Sequence, residues 1–250
     1  MKSLAAEERI AWLLTELRAV GSVSLASASE RLGVSEMTIR RDLRAIEDDG
    51  QARRVRGGAV FVGPVSFTGR DRSHGEQKQA IAAKLLDLVP SSGVIALDSS
   101  TTMYRLATLM PSASDLTIVT NSMLTLQVLQ DKPGITALLT GGRFDRRSDS
   151  LVGTMATSNI ADFTFVRFFA SASTIDEPSG CFEATIEEAE IKRAFARSAE
   201  QVIVGVDTAK LDRRAAAASV RHGQIGVLAT EVDPEDERLR AYREAVPVLI

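Results

Sequence analysis

The chain's first candidate chemistry lies where an apolar run, Val94 to Leu97, gives way to Asp98-Ser99-Ser100-Thr101-Thr102. Hydroxyls and backbone amides feeding a helix start suit an anion such as a phosphate, because the first turn carries unpaired N–H groups and the positive end of the helix dipole. Serine and threonine are also the favoured helix caps, so taken alone the run reads as a cap. Three more polar segments follow apolar runs: Thr120-Asn121, Gly141-Gly142-Arg143, and Asp207 with Lys210. A lysine and an arginine close to a hydroxyl-rich helix start can neutralise a phosphoryl group. Asp98, Asp176, Glu188 and Lys192 form a second candidate set, an acid/base group able to shuttle a proton between adjacent carbons. Acids and lysines on loops and helices are usually solvated, and Glu188 and Lys192 at i, i+4 also fit a surface ion pair.

A different chemistry is concentrated earlier. Arg40, Arg41 and Arg44 fall within a turn and a half of helix, and Arg53, Arg54 and Arg56 follow an acidic gap at Glu47, Asp48 and Asp49. Guanidinium groups and the short hydroxyl of Thr38 are the groups that reach phosphates and base edges in a major groove. The net charge of −3 argues against nucleic acid until the chain is divided. Residues 1–75 carry 12 basic and 10 acidic side chains, residues 76–250 carry 18 and 23. A basic head on an acidic body is the implied organisation.

The inventory excludes other classes. One cysteine, Cys181, makes no internal disulfide, and with only His74 and His222 a multi-ligand Cys/His metal site is ruled out; no cofactor is expected. No run approaches the ~18–20 apolar residues of a membrane span, and acids stand where a signal peptide has a basic then apolar run, so a cytoplasmic protein with no membrane partner is expected.

The elements that must hold these groups are legible from periodicity. Ile10, Leu13, Leu14 and Leu17 stripe one helix ending near Gly21, and a second short helix fits Ser24 to Leu32. Gly33 supplies a turn, Ser35 is a good N-cap, and a third helix from Glu36 to Ile46 turns Ile39, Leu43 and Ile46 inward. Gln51 to Val62, with Gly57-Gly58 inside it, reads as a hairpin whose Arg53, Arg54 and Arg56 grip backbone phosphates or an adjacent minor groove. Asp42, an acid among arginines, is expected to orient a neighbouring arginine. Residues 61–77 lack periodicity and are expected to be a linker. Beyond them helices and apolar runs alternate: helix 76–88, strand 94–97, helix 102–109, strand 117–119, helix 122–130, strand 135–139, then segments 163–170, 187–199, 201–206 and 225–230. That alternation implies an α/β body with a largely parallel sheet covered on both faces.

The string Val34-Ser35-Glu36-Met37-Thr38-Ile39-Arg40-Arg41-Asp42-Leu43, with Glu47, Gly50, Arg54 and Gly57-Gly58-Ala59, resembles the DNA-binding signature of DeoR/GlpR-type bacterial repressors. Glu76, Lys78, Leu97-Asp98, Thr101-Thr102, Thr120-Asn121, Gly141-Gly142, Gly153, Glu188-Ala189, Lys192 and Asp207 to Lys210 are similar to the same family's effector-sensing domain, so the resemblance covers nearly the whole chain. It departs at Ala28, where a large apolar residue is usual, at Arg56 for histidine, at Ser100 for glycine, at Ala209 for serine, and at Ser171 and Thr174, where glycines are usual.

The resemblance implies a winged helix-turn-helix head over 1–60, the linker 61–77, and an α/β sensing and oligomerisation domain over 78–250 related in fold to sugar-phosphate isomerases and coenzyme A transferases. It implies DNA contacts at Ser35, Glu36, Thr38, Arg40, Arg41, Arg44, Arg53, Arg54 and Arg56. Effector contacts are implied at Asp98, Ser100, Thr101, Thr102, Asn121, Gly141, Gly142, Lys192 and Lys210, with Lys210 the favoured cation for a phosphate and Lys192 its rival. The implied function is a regulator without enzyme activity: a homo-oligomer, dimer or tetramer, that binds double-stranded operator DNA, represses carbohydrate-metabolism genes and is released by a phosphorylated sugar. The alternatives are a ligand-independent DNA binder whose body only oligomerises, and a sugar-phosphate isomerase-like enzyme.

Overall fold

The structure, a computed structural model, describes residues 6–48, 51–61, 67–146 and 148–250; Asp49, Gly50 and residues 62–66 of the expected linker lie outside the described residues. The chain divides into two compact units, 1–73 and 74–250.

In the first unit, helices α1 (Ala6–Val20), α2 (Leu25–Leu32) and α3 (Glu36–Asp48) pack with strands β1 (Ser22–Ser24), β2 (Ala52–Val55) and β3 (Gly58–Phe61), the strands ordered β1-β3-β2. Leu13 and Leu17 of α1, Ala28 of α2, and Ile39, Leu43 and Ile46 of α3 are buried together, as the periodicity predicts. Ala28 is fully buried, so the smaller side chain lies in the packed interior of the head. Strand β1 is a departure from the two-stranded hairpin expected. Its three residues pair with β3 because Gly58 has no side chain: a Cβ there would lie 2.0 Å from the Val23 carbonyl oxygen.

The described part of the expected linker beyond residue 66 is not aperiodic. It includes helix α4 (Phe67–Arg72), which packs on α1, with Phe67 and Gly69 buried and the Arg70 guanidinium 5.7 Å from the Phe67 ring centroid. One aromatic anchors this short helix, and a single apolar residue carries no periodicity to read. The body's first helix, α5 (Gly75–Leu86), likewise starts before residue 78.

The second unit continues with β4 (Ser92–Leu97), α6 (Thr101–Leu109), β5 (Asp115–Thr120), α7 (Met123–Leu129), β6 (Ile135–Leu139), β7 (Arg143–Asp145), β8 (Ser150–Val152), α8 (Thr154–Ala161) and β9 (Phe165–Ala170). There follow β10 (Thr174–Asp176), β11 (Gly180–Glu183), α9 (Ile186–Arg197), β12 (Ala199–Gly205), β13 (Ala217–Arg221), β14 (Ile225–Ala229), α10 (Arg240–Ala245) and β15 (Val248–Leu249). Seven strands form one parallel sheet in the order β15-β14-β12-β9-β4-β5-β6. Alternate residues of each strand serve opposite faces. Ile95, Leu97, Phe169 and Ile203 pack under α5, α6 and α7, whereas Ala96, Phe168, Ala170, Val202 and Val204 pack under α8, α9 and α10.

Strand order reverses between β4 and β9: from β4 the chain adds β5 and β6 on one side, then β9, β12 and β14 on the other. Such a switch point leaves a crevice at the carboxyl ends of the two strands, where open α/β sheets bind ligands. Two features absent from the sequence reading flank it: the antiparallel sheet β10-β11-β13 and the hairpin β7-β8.

Candidate functional site

On the head, α3 has two separate faces. Ile39, Asp42, Leu43 and Ile46 are buried, while Glu36, Met37, Arg40, Arg41 and Arg44 are exposed. Ser35 caps the helix: its Oγ accepts from the Thr38 amide at 3.3 Å and lies 3.0 Å from Thr38 Oγ1. Thr38 is half-buried, so the hydroxyl expected to reach base edges is engaged within the cap. Asp42 does orient an arginine, but one from α1: Arg9 Nε donates to Asp42 Oδ2 at 2.8 Å and an Nη to Oδ1 at 3.3 Å, both side chains being buried. The sequence reading could not pair them, because 33 residues separate them.

The wing divides as well. Arg53, Arg54 and Arg56 are all exposed, but Arg54 is tied to Glu47 of α3, whose carboxylate accepts from the Arg54 amide at 2.8 Å and from its guanidinium. The amide bond and then the guanidinium hold Glu47 below the usual carboxylate range. Arg54 therefore fastens the wing to the recognition helix, and Arg53 and Arg56 stand outward beside it.

In the body, the carboxyl ends of β4, β9 and β12 carry a buried chain of charges. Lys192 Nζ lies 3.1 Å from Asp98 Oδ2 and 2.9 Å from Glu183 Oε1, and donates to the Ser171 carbonyl oxygen at 2.7 Å. Asp98 spans the switch point: Oδ1 accepts from the Ser100 amide at 2.9 Å and Oδ2 from the Ser171 amide at 2.8 Å. Lys210 Nζ donates to Ser171 Oγ at 3.3 Å and lies 3.6 Å from Asp207 Oδ2. Burial opposes the charge on Lys192, but Asp98 and then Glu183 outweigh it and hold the ammonium above the usual lysine range. Burial pushes the Glu183 carboxyl up and the Lys210 ammonium down. Burial also raises the Cys181 thiol to about 12, which keeps it unreactive.

Two expectations change here. Lys192 is neither solvated nor a surface partner of Glu188; it is the buried centre of an Asp98–Lys192–Glu183 triad. Glu188 lies in the first turn of α9, where its amide donates to Thr185 Oγ1 at 3.2 Å and its carboxylate accepts from the same hydroxyl. Of the acid/base set only Asp98 and Lys192 thus meet, for Asp176 is also bound elsewhere, to Arg214 Nη2 at 2.7 Å. Sequence reasoning missed Glu183. Its signal was only a lone acid closing a short apolar run, and the triad's spacings match no helix or strand period.

The remaining residues follow β4, β5 and β6 in the chain. Ser100 is the N-cap of α6, its Oγ accepting from the Met103 amide at 3.2 Å, so the cap reading holds for that hydroxyl. Thr101 and Thr102 are buried in the first turn. Asn121, at the end of β5, donates through Nδ2 to the Leu151 carbonyl oxygen at 3.2 Å. Gly141 and Gly142 both have positive φ, and a Cβ at Gly142 would come within 2.7 Å of the Val152 carbonyl oxygen, so close packing on β8 already requires a glycine there. Asn121 Oδ1 and both Asp207 carboxylate oxygens are buried with no hydrogen-bond partner. Of these, Asp207 lies 3.6 Å from the Lys210 ammonium.

Among the described residues no group of three or more His, Cys, Asp and Glu is placed to hold a metal ion, and no helix is long and apolar enough to cross a membrane.

The model of the DeoR-like helix-turn-helix domain matches residues 9–65, and that of the DeoR C-terminal sensor domain matches residues 73–232. The chain is 28% identical over 244 residues to a putative aga operon transcriptional repressor of Escherichia coli O157:H7, covering 95% of this chain and 91% of that one. It is 34% identical to the HTH-type transcriptional regulator GlpR of Haloferax volcanii over 76% of each chain. It is 28% identical to the lactose phosphotransferase system repressor of Lactococcus lactis over 83% of this chain and 84% of that one. With both of its units matched, this chain belongs to the DeoR family of helix-turn-helix transcriptional regulators.

Proposed function

We propose that this chain represses carbohydrate-metabolism genes by binding double-stranded operator DNA as a homo-oligomer, and that a phosphorylated sugar or related polyol seated at the sheet's switch point releases it. The observation that carries the reading is the pair of buried acceptors, Asp207 and Asn121, beside a charge network that crosses from β4 to β12. Sugar hydroxyls are donors of the kind these acceptors require. The first turn of α6 is the place for the phosphate, at Thr101 and Thr102, because both lysines are already matched by carboxylates. The relatives include a lactose phosphotransferase system repressor and an L-fucose operon activator, both named for sugars.

A regulator without enzyme activity is the reading adopted for this site, since Lys192 is held between two carboxylates and Asp176 and Glu188 are engaged away from it. Two heads related by a twofold axis would read paired half-sites.

The test is a thermal-shift screen of sugar phosphates, sugar acids and polyols, followed by titration of each hit into the complex of full-length chain and selected DNA. A ligand at a hundredfold excess over its Kd stabilises by about 2.7 kcal/mol. Release of DNA by a stabilising sugar phosphate supports the reading. A body that no such compound stabilises supports a ligand-independent DNA binder, and turnover of a sugar phosphate overturns the regulator without enzyme activity.

A further inference from the structure

The exposed face of α3 contains one residue that charge does not explain. Met37 is 73% exposed, the most exposed large hydrophobic side chain among the described residues. It stands at the start of a helical stripe, three residues before Arg40, four before Arg41 and seven before Arg44, all exposed. Residues at these spacings share one side of a helix. The buried side is complete without it, since Ile39, Leu43 and Ile46 already face the core.

We propose that Met37 is a specificity-determining residue that packs against the 5-methyl group of a thymine in each half-site. Three observations converge. The recognition helix of a helix-turn-helix enters the major groove by its N-terminal end, and Met37 lies in the first turn of α3. The arginines on the same stripe fix that face against phosphates and guanines, which carries Met37 into the groove with them. The only apolar group that the major-groove edge of a base pair offers is the thymine methyl, and an unbranched thioether chain adapts to its position. The Thr38 hydroxyl, the other side chain suited to this region, is engaged by Ser35.

A methyl–methionine contact is measurable one atom group at a time. The preferred duplex is selected from random double-stranded DNA with the full-length chain, and each thymine is then replaced singly by deoxyuridine, which removes only the methyl. Dissociation constants are measured at one fixed salt concentration for the wild type, Met37→Ala and the near-isosteric polar variant Met37→Gln. In the wild type, one thymine per half-site loses about fourfold in affinity on demethylation, the worth of one buried methyl. Both variants bind the parent duplex more weakly and are indifferent to deoxyuridine at that position, while every other position behaves as in the wild type. The proposal is overturned if no thymine is sensitive, or if the sensitive thymine remains equally so in both variants. Equal melting temperatures for the three proteins, expected of so exposed a side chain, keep a folding defect from imitating the result.

Discussion

Glu47, in the last turn of α3, accepts from both the backbone amide and the guanidinium of Arg54 in the first wing strand, so a single carboxylate sets where the wing stands relative to the recognition helix. Charge alone predicts that Glu47→Ala, which removes an acid near DNA, strengthens binding. The clasp predicts the reverse: weaker operator binding with a nearly unchanged salt slope. Titration of labelled duplex at several salt concentrations separates the two. The clasp also has a pH signature. The folded-state pKa of Glu47 is lowered, so its contribution is fully present above the ordinary glutamate value and is lost as pH falls through the lower folded value. Glu47→Gln removes that acid-side loss, as read by unfolding midpoints across the acid range.

Arg53 and Arg56, unlike Arg54, are expected to act as backbone grips. Each replaced by Ala should weaken all duplexes alike and flatten the salt slope by about one unit. Arg41→Ala, on the outward face of α3, should instead cost about 1–3 kcal/mol on the selected site and relax base preference there. A wing variant that altered base preference while Arg41→Ala left it intact would overturn this division.

Buried ion pairs are costly to break by halves. Lys192→Met leaves Asp98 and Glu183 facing each other without their cation and should destabilise its unit by about 3–5 kcal/mol, measured by urea denaturation of the full chain. Asp42→Ala removes the carboxylate paired with Arg9 and should lower the stability of the head in the same measurement. Adding Glu183→Gln to Lys192→Met should recover part of the loss, because one of the two stranded carboxylates is gone.

Asp207 carries the test of the ligand site. Its carboxylate is buried with neither oxygen hydrogen-bonded and lies 3.6 Å from the Lys210 ammonium, so Asp207→Asn should lower the unfolding midpoint as that pair is broken, and should abolish DNA release by any sugar phosphate found in the screen. A variant that kept its ligand response would place the site elsewhere.

What could be read in advance follows from the range of the interactions. Helices α1 to α3 and strands β4, β5, β6, β9, β12 and β14 announce themselves because their apolar residues repeat within a few positions. Strand β1, helix α4 and the small sheet β10-β11-β13 are too short for a period to show. Site residues at strand ends were legible from the chain's own order, since Asp98, Asn121 and Asp207 each follow an apolar run. Their pairings were not: Asp98 with Lys192, Lys192 with Glu183, and Arg9 with Asp42 meet only through tertiary packing.

The partition of α3 bears on how such a protein diversifies. Ile39, Asp42, Leu43 and Ile46 hold the helix in place, whereas Met37, Arg40, Arg41 and Arg44 contribute nothing to the core. Substitutions on the outward stripe are therefore nearly free of a folding penalty, so a duplicated copy of this chain can drift to a new operator while its scaffold remains unchanged.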